Sequence, residues 1–358
     1  MRDEINHHRY LYHVLDKIEI SDAALDSLKN ELFKLEEEHP EFIAPDSPTQ
    51  RVGGRPLAKF NKVRHSAPMM SLFDAFSQAD MRDWEKRTSK KLEVRSKQFD
   101  YYCELKLDGL AVSLIYNKGK FSRGATRGDG IIGEETTQNL KTIEAIPLIL
   151  RRPKEGELIN LGLSKSAQER LITELAKGVI EARGEVIMTN KVFAELNQKY
   201  KKAGRPLLAN PRNGAAGSIR QLDSKLAAER RLDCYVYDLI TDLGLERQQQ
   251  KLELAGLLGF KVINYNQACS NLAEVFKFHE RWEKNQDKLP FNCDGIVVKI
   301  NKLSLWPRLG IVGKGPRYMM AYKFAAQQAT SQVKEVIWQV GRSGVLTPAA
   351  VQIGRAHV

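Results

Sequence analysis

Apolar residues recur along this chain with two different periods, and the change of period divides it. Leu25, Leu28, Leu32 and Leu35 fall at steps of three and four, which is the stripe of an amphipathic helix. Ser21 offers a cap at its start, and Pro40 stands just beyond its end. An earlier helical stretch covers 7–15, and a Pro- and Gly-rich connector at 45–56 marks a first domain boundary. From Tyr101 the pattern turns to strands. Apolar runs at 101–107 and 111–116, the turn Asn117-Lys118-Gly119 and the segment 120–123 read as a hairpin. Phe193, Leu196 and Tyr200 predict a helix over 190–200, and short strands are expected at 234–240 and 295–300. Ser166-Ala167-Gln168-Glu169 has the form of a capping box and, with Leu171 and Leu175 before Gly178, predicts a short helix. From Val333 the chain reads as strands about a turn at 341–344, too short a stretch to close a β-domain. The class expected is α+β, a small N-terminal helical subdomain followed by a mixed domain, without internal repeats.

Composition narrows the partners. The 358 residues are 42% hydrophobic and 28% charged, the balance of a globular protein with a core. The formal charge of +12 points toward a polyanion, nucleic acid before membrane, although a protein that is simply basic accounts for charge alone equally well. Cys103, Cys234, Cys269 and Cys293 have no CxxC spacing and no neighbouring histidines. That argues against a zinc site and against a disulfide scaffold. There is no apolar run of about 18 residues and no signal peptide at Met1, so a cytoplasmic monomer that leaves membranes alone is expected.

The sharpest chemical signal is Glu104-Leu105-Lys106-Leu107-Asp108-Gly109. Lys106 falls where an apolar strand meets a glycine turn, a place that partly desolvates an amine and frees it as a nucleophile. Glu104 and Asp108 alternate with it by two, so the three can share a strand face. Acids there serve a ligand, a metal ion or a proton transfer. A bare Lys-x-Asp-Gly is more often a surface pair in a turn. Further along stand Thr126-Arg127-Gly128-Asp129-Gly130, with an arginine suited to phosphate or ribose, and Arg183-Gly184-Glu185, with a carboxylate suited to a ribose hydroxyl. Asp294-Gly295-Ile296-Val297-Val298-Lys299 and Lys323-Phe324 end strands with lysines able to offset phosphate charge. Each piece alone is ordinary; the ordered set is specific.

That set resembles the nucleotidyltransferase motifs of DNA ligases, RNA ligases and mRNA capping enzymes. With Asn210-Pro211-Arg212-Asn213-Gly214-Ala215-Ala216-Gly217-Ser218 and Ser47-Pro48-Thr49-Gln50-Arg51-Val52-Gly53, the chain is similar to bacterial NAD-dependent DNA ligases over about 7–352. The resemblance implies three parts: a helical NMN-binding subdomain with its connector at 1–58, an adenylation domain at 59–326, and the start of an OB-fold at 327–358. It implies that Lys106 attacks the α-phosphate of NAD and keeps AMP, which passes to a nick 5′-phosphate before the 3′-hydroxyl seals the nick, with Mg²⁺ offsetting phosphate charge. Carried over residue by residue, Asp108, Asp294 and Lys299 join Lys106 in the chemistry. Glu104, Arg127, Glu185, Lys299 and Lys323 hold the adenylate, and Ser71 and Leu72 lie beside it. Arg212 and Arg220 engage the nicked duplex. In the helical part Tyr12 would stack on the nicotinamide, with His13, Asp22 and Asp26 as polar contacts.

The departures are equally specific. Leu25 stands where the family carries a second tyrosine in Asp-x-x-Tyr-Asp, which predicts weaker nicotinamide binding. The segment 152–177 is longer than expected and reads as a surface insertion. Val340-Gly341-Arg342-Ser343-Gly344-Val345-Leu346-Thr347-Pro348 resembles the opening of the family's OB-fold. The rest of that fold, the zinc module, the helix-hairpin-helix domain and the BRCT domain do not follow. The final Ile353-Gly354-Arg355-Ala356-His357-Val358 matches what a sequencing adapter encodes in one frame, and Met1 falls some residues inside the family's usual start. These points lead to the expectation of a gene fragment, limited to self-adenylation. Two alternatives stand beside it: an ATP-dependent ligase-like nucleotidyltransferase, and a non-catalytic nucleic-acid-binding remnant. The Tyr12–Asp26 helices argue against the first, and the intact Lys106, Asp108, Glu185, Lys299 and Lys323 argue against the second.

Overall fold

The computed structural model describes residues 1–15, 17–52, 57–93, 99–313, 315–325, 332–340 and 344–352. Along the chain, α1 (Arg2–His13), α2 (Asp22–Glu38), β1 (Lys62–Arg64), β2 (Asp74–Ala75) and α3 (Gln78–Leu92) lead into β3 (Tyr101–Leu107), β4 (Leu110–Asn117), β5 (Lys120–Thr126) and β6 (Ile132–Glu134). Next come α4 (Thr137–Lys141), α5 (Glu155–Asn160), α6 (Lys165–Lys177), β7 (Val179–Ile187), α7 (Asn190–Lys202), α8 (Pro211–Ile219), α9 (Ser224–Ala228) and β8 (Asp233–Leu239). Then follow α10 (Gln248–Leu257), β9 (Gln267–Cys269), α11 (Leu272–Asn285), β10 (Cys293–Ile300), α12 (Trp306–Leu309), β11 (Ile311–Val312), β12 (Gly315–Pro316) and β13 (Met319–Lys323). These belong to one unit, Met1–Lys323; a second unit, Phe324–Val358, holds β14 (Val333–Val340) and β15 (Leu346–Gln352).

Two sheets organise the first unit. One has the order β2-β13-β10-β3-β9 and the other β5-β4-β7-β8. Pairing is antiparallel throughout except between β13 and β2. Side chains alternate across each strand, and the sequence uses that alternation to separate core from site. On β4 and β7, Val112, Leu114, Tyr116, Ile180, Ala182 and Val186 enter the main core, while Glu181, Arg183 and Glu185 face the other way. On β3 and β10, Cys103, Leu105, Ile296 and Val298 are buried on the side covered by α11, while Glu104, Lys106, Val297 and Lys299 face the second sheet. The candidate site positions are therefore the off-beat residues of strands whose other face is apolar.

Several expectations are corrected in detail. The first helix begins at Arg2 rather than His7, because Ile5 and Leu11 supply its buried face. The helix α6 is capped by Ser164, whose hydroxyl accepts from the Ala167 N–H, and not by Ser166, whose hydroxyl bonds instead to that of Ser164. The segment 152–177 is no surface decoration. Leu158, Leu163, Ala167, Leu171 and Leu175 are all buried in the main core beneath the four-stranded sheet.

The helical pair closes on its own small core of Ile5, Leu25 and Leu32. Leu25 is thus a packing residue between α1 and α2, and the structure does not offer it as a flat surface for a ring. Glu36 ties the pair to the connector, accepting from Arg2 Nη2 at 2.7 Å and from the Ser47 hydroxyl at 2.7 Å. The second unit is an antiparallel hairpin in which Val340 opposes Leu346. Its described residues leave apolar side chains in solvent, Trp338 at 63% exposure among them, so unpaired edges and apolar surface coincide. Residues 341–343 of its expected turn and the tail 353–358 lie outside the described residues. Among the described residues, no helix is long and apolar enough to cross a membrane.

Candidate active site

A cavity of about 810 Å³ lies between the two sheets and is lined by residues from strands of both. Glu104 and Lys106 come from β3; Asp294 and Lys299 from β10; Lys323 from β13; Glu185 from β7; Tyr237 from β8; and Arg127 from the end of β5. Asp108, Ser71, Leu72, Arg212 and Arg220 also line it.

Lys106, next to the last residue of β3, sets its ammonium on the carboxylate of Asp294, at 3.1 and 3.3 Å. Lys323 donates to the same carboxylate. Burial works against a charge on Asp294, but the hydrogen bond from Lys323 and the charge and hydrogen bond of Lys106 outweigh it. The carboxyl is held below its ordinary range. Asp108 lies one residue beyond the strand, where its N–H donates to Asn292 O at 3.0 Å. Its carboxylate pairs with Arg212 at 2.9 Å. Arg220 pairs with Glu134 at 2.9 Å.

Deeper in, Glu104 and Lys299 form a buried pair at 2.7 and 2.9 Å. Lys299 also donates to Tyr237 O at 2.9 Å. Burial raises the Glu104 pKa despite that partner. Glu185 faces Lys106 across the cavity. Burial pushes it up to about 7, opposed by the charges of Lys106 and Arg212 and by the N–H of Gly109.

Two glycines allow these approaches. A Cβ on Gly109 would lie 2.3 Å from Val186 O. Gly128, at φ +56, has Ile132 O within 1.9 Å of that position, so the Arg127 turn closes only over a bare Cα. The turn is fixed by Asp129, which accepts from the N–H groups of Ile131 and Ile132 at 2.8 and 2.7 Å.

Two contributors went unread in the sequence. Arg183 is buried and donates to Pro68 O at 2.9 Å and to Ala67 O, which aims the following segment so that Ser71 and Leu72 reach the cavity. Tyr237 supplies the carbonyl that holds Lys299. The Arg-Gly-Glu string was a signal for Arg183; nothing in the pattern singled out Tyr237.

The helical residues are not brought to this cavity; neither Tyr12, His13 nor Asp26 lines it. The pair docks instead on the core side of the four-stranded sheet. Arg9 grips the side chain and carbonyl of Glu144, and Arg51 donates to the carbonyls of Lys141, Ile143 and Ile146 at 2.9 Å each. Tyr10 donates to Gly256 O at 3.3 Å. His13 lies 4.0 Å from Glu144 but is pushed down to about 4, by burial first and by Arg9, Lys29 and Arg51, so it is neutral at pH 7. Tyr12 meets the ring of His13 edge-on at 4.8 Å. Asp26 is exposed beside Lys29, at 3.8 Å, and the side chain of Asp22 lies outside the described residues.

A strand-end lysine facing carboxylates, lysines and a glycine-turn arginine is an arrangement suited to holding a nucleotide with its phosphates near an amine. Comparison with known proteins identifies the family. The model of the NAD-dependent DNA ligase adenylation domain matches residues 57–327, and that of the DNA ligase-like N-terminal NAD+-binding domain matches residues 1–53. A DNA ligase of Koribacter versatilis (strain Ellin345) is 44% identical over 98% of this chain and 50% of its own length. One from Desulforudis audaxviator is 46% identical over 98% of this chain and 49% of its own. One from Anoxybacillus flavithermus is 43% identical over 98% and 48%. The chain spans about half the length of the curated relatives it matches. It belongs to the NAD-dependent DNA ligase family, whose NAD+-binding and adenylation domains it carries.

Proposed function

We propose that this chain takes AMP from NAD onto Lys106 and releases NMN, and that the longer protein of which such domains form part passes the AMP to a nick and seals it. One observation carries the reading: the Lys106 amine stands on a carboxylate shared with Lys323, facing Glu185 and the Arg127 turn within one cavity. In the step, the Nζ lone pair forms a P–N bond to the α-phosphorus while the bond to the NMN phosphate oxygen breaks. That oxygen keeps the electron pair, and the amine's protons pass to water. Asp294 orients the amine. Lys323 and Lys299 offset the charge on the transferring phosphate. Glu185 accepts from ribose hydroxyls, Arg127 and Glu104 hold the rest of the nucleotide, and Ser71 and Leu72 lie beside it. Arg212, freed from Asp108, and Arg220, freed from Glu134, are the proposed contacts to nicked duplex DNA.

Mg²⁺ is part of this reading as a companion of the substrate's phosphates. Among the described residues, no group of three or more His, Cys, Asp or Glu could hold a metal ion. The carboxylates of Asp108 and Asp294 are already paired with cations. The side chains therefore do not fit a protein-held metal. Tyr12, His13, Asp22 and Asp26 act on the nicotinamide half only if the helical pair leaves its Glu144 dock and crosses to the cavity. We propose that it does so during the NAD step. The test is intact mass after incubation with NAD or, in parallel, ATP: one added AMP with NAD supports the reading, and an adduct formed from ATP instead contradicts it.

A further inference from the structure

Gln248 opens α10 and is fully buried, yet it lines no part of the cavity. Its N–H donates to Asn301 O at 2.8 Å, and the next N–H, of Gln249, donates to Asn301 Oδ1 at 3.1 Å. Arg247 forms a β-bridge with Lys302 and an ion pair with Asp100, whose carboxylate also accepts from Asn301 Nδ2 at 2.9 Å. The start of α10 is therefore pinned where β3 begins and β10 ends. From that anchor the Gln248 side chain reaches the wall of the site. Its Nε2 donates to Glu104 Oε1 at 3.1 Å and to Tyr237 O at 3.3 Å.

The other end of the amide is the telling part. Gln248 Oε1 is buried without a partner among the described residues. A methionine would fill the same space with no orphaned acceptor, and turning the amide over would set oxygen against a carboxylate. The fold accepts an unpaired oxygen in order to keep an N–H on Glu104.

Glu104 needs that donor. An ionised carboxylate taken out of water must have its lone pairs filled, and a single ammonium does not fill them. The charged and titratable groups that face it are Lys299 on β10, Tyr102 and Cys103 on β3, and Tyr237 and Asp238 on β8. The charge of Asp238 is taken up by Lys251 at 2.9 Å. Among the described residues, the donors to Glu104 are Lys299 and Gln248. Lys299 lines the cavity while its ammonium meets both Glu104 oxygens, at 2.7 and 2.9 Å, and Tyr237 O at 2.9 Å, so the setting of Glu104 fixes where that positive charge sits.

We infer that Gln248 is a positioning residue for nucleotide transfer: it keeps Glu104 ionised and turned toward Lys299, so that the Lys299 ammonium is held at the cavity wall where the nucleotide binds. This rests on the proposed adenylation of Lys106 by NAD. Loss of one hydrogen bond to a charged group corresponds to about tenfold or more. Removing the donor also moves the Glu104 titration further in the direction burial already drives it, upward.

The test is the rate of AMP transfer from NAD to the full chain, measured by intact mass across pH, for the unaltered chain, Gln248→Met and Gln248→His. The methionine variant is expected to lose about tenfold or more in kcat/KM, with its acid limb shifted to higher pH by about one unit. The imidazole N–H of the histidine variant reaches about as far as the amide and should restore both. A methionine variant with the unaltered rate and pH profile overturns the inference. Should that variant not fold, Gln248→Glu decides: activity that falls as pH rises, as its donor ionises against Glu104, supports the inference, and an unaltered profile overturns it. An unaltered chain that takes no AMP from NAD overturns the underlying reading and this inference together.

Discussion

Glu185 is a carboxylate that the fold holds at a cost, and Glu185→Gln separates that cost from its use. Burial raises its pKa from 4.5 to about 7 against the pull of Lys106, Arg212 and Arg127. A shift of that size sets an upper bound of about 3 kcal/mol on the penalty for ionising it in the folded state. Because the side chain opens onto the cavity rather than into the core, screening reduces the expected effect to about 1–2 kcal/mol. The sign follows from linkage. Below pH 4.5 the group is neutral in both states and there is no penalty. As pH rises, the unfolded chain releases its proton first, so stability is lost progressively and the loss is complete above about 7. Glutamine does not titrate. The variant should be more stable than the parent by about 1–2 kcal/mol at pH 8.5, and by about a quarter of that at pH 5. Urea unfolding followed by tryptophan fluorescence at both pH values measures the gap, with equal m-values as the check on comparable transitions. The same variant should bind NAD poorly, since an amide cannot accept two ribose hydroxyls as a carboxylate does. A gap that is equal at the two pH values, or a variant less stable at pH 8.5, would show that Glu185 is not a buried carboxyl with a raised pKa.

The remaining predictions test packing and docking. Leu171→Ala should cost about 2–4 kcal/mol in urea unfolding, because it opens a cavity in the main core; a cost near zero would restore the view of 152–177 as a surface insertion. Glu144→Ala leaves the buried Arg9 and Arg51 without their shared, partly exposed carboxylate and should weaken docking of the helical pair by about 1–3 kcal/mol. Hydrogen exchange should then rise in α1 and α2 while β4 and β7 stay protected, and unchanged exchange would contradict the role of Glu144. Gly109→Ala sets a methyl 2.3 Å from Val186 O, so AMP transfer should fall with a stability loss of about 1–3 kcal/mol; a melt and a mass assay at full parental values would be evidence against it.

The site was legible where chemistry and secondary structure share a local string. Lys106 and Glu104 on one strand, Glu185 behind Gly184 and Lys299 at a strand end are each readable within a few residues, and the two-residue period carries all of them to the face opposite the core. What the sequence hid is set by long-range contact. Gln248 lies in the polar run Arg247-Gln248-Gln249-Gln250, and its burial comes from Glu104, 144 positions away. The docking role of Glu144 comes from Arg9, 135 positions away. The helix at 165–177 was visible from its leucines, but spacing alone cannot say that the stripe meets the underside of a sheet. Likewise Leu25 carries the helical stripe either way; only the position of Ile5 shows that it packs within the pair.

The most direct test of the central claim is to isolate the chain after incubation with NAD, digest it, and locate the AMP by mass, then return NMN to a second aliquot of the intact adduct. The expected result is one acid-labile AMP on the peptide containing Lys106, none in Lys106→Ala, and discharge by NMN with regeneration of NAD. AMP on another residue, or an adduct that NMN leaves untouched, would contradict it.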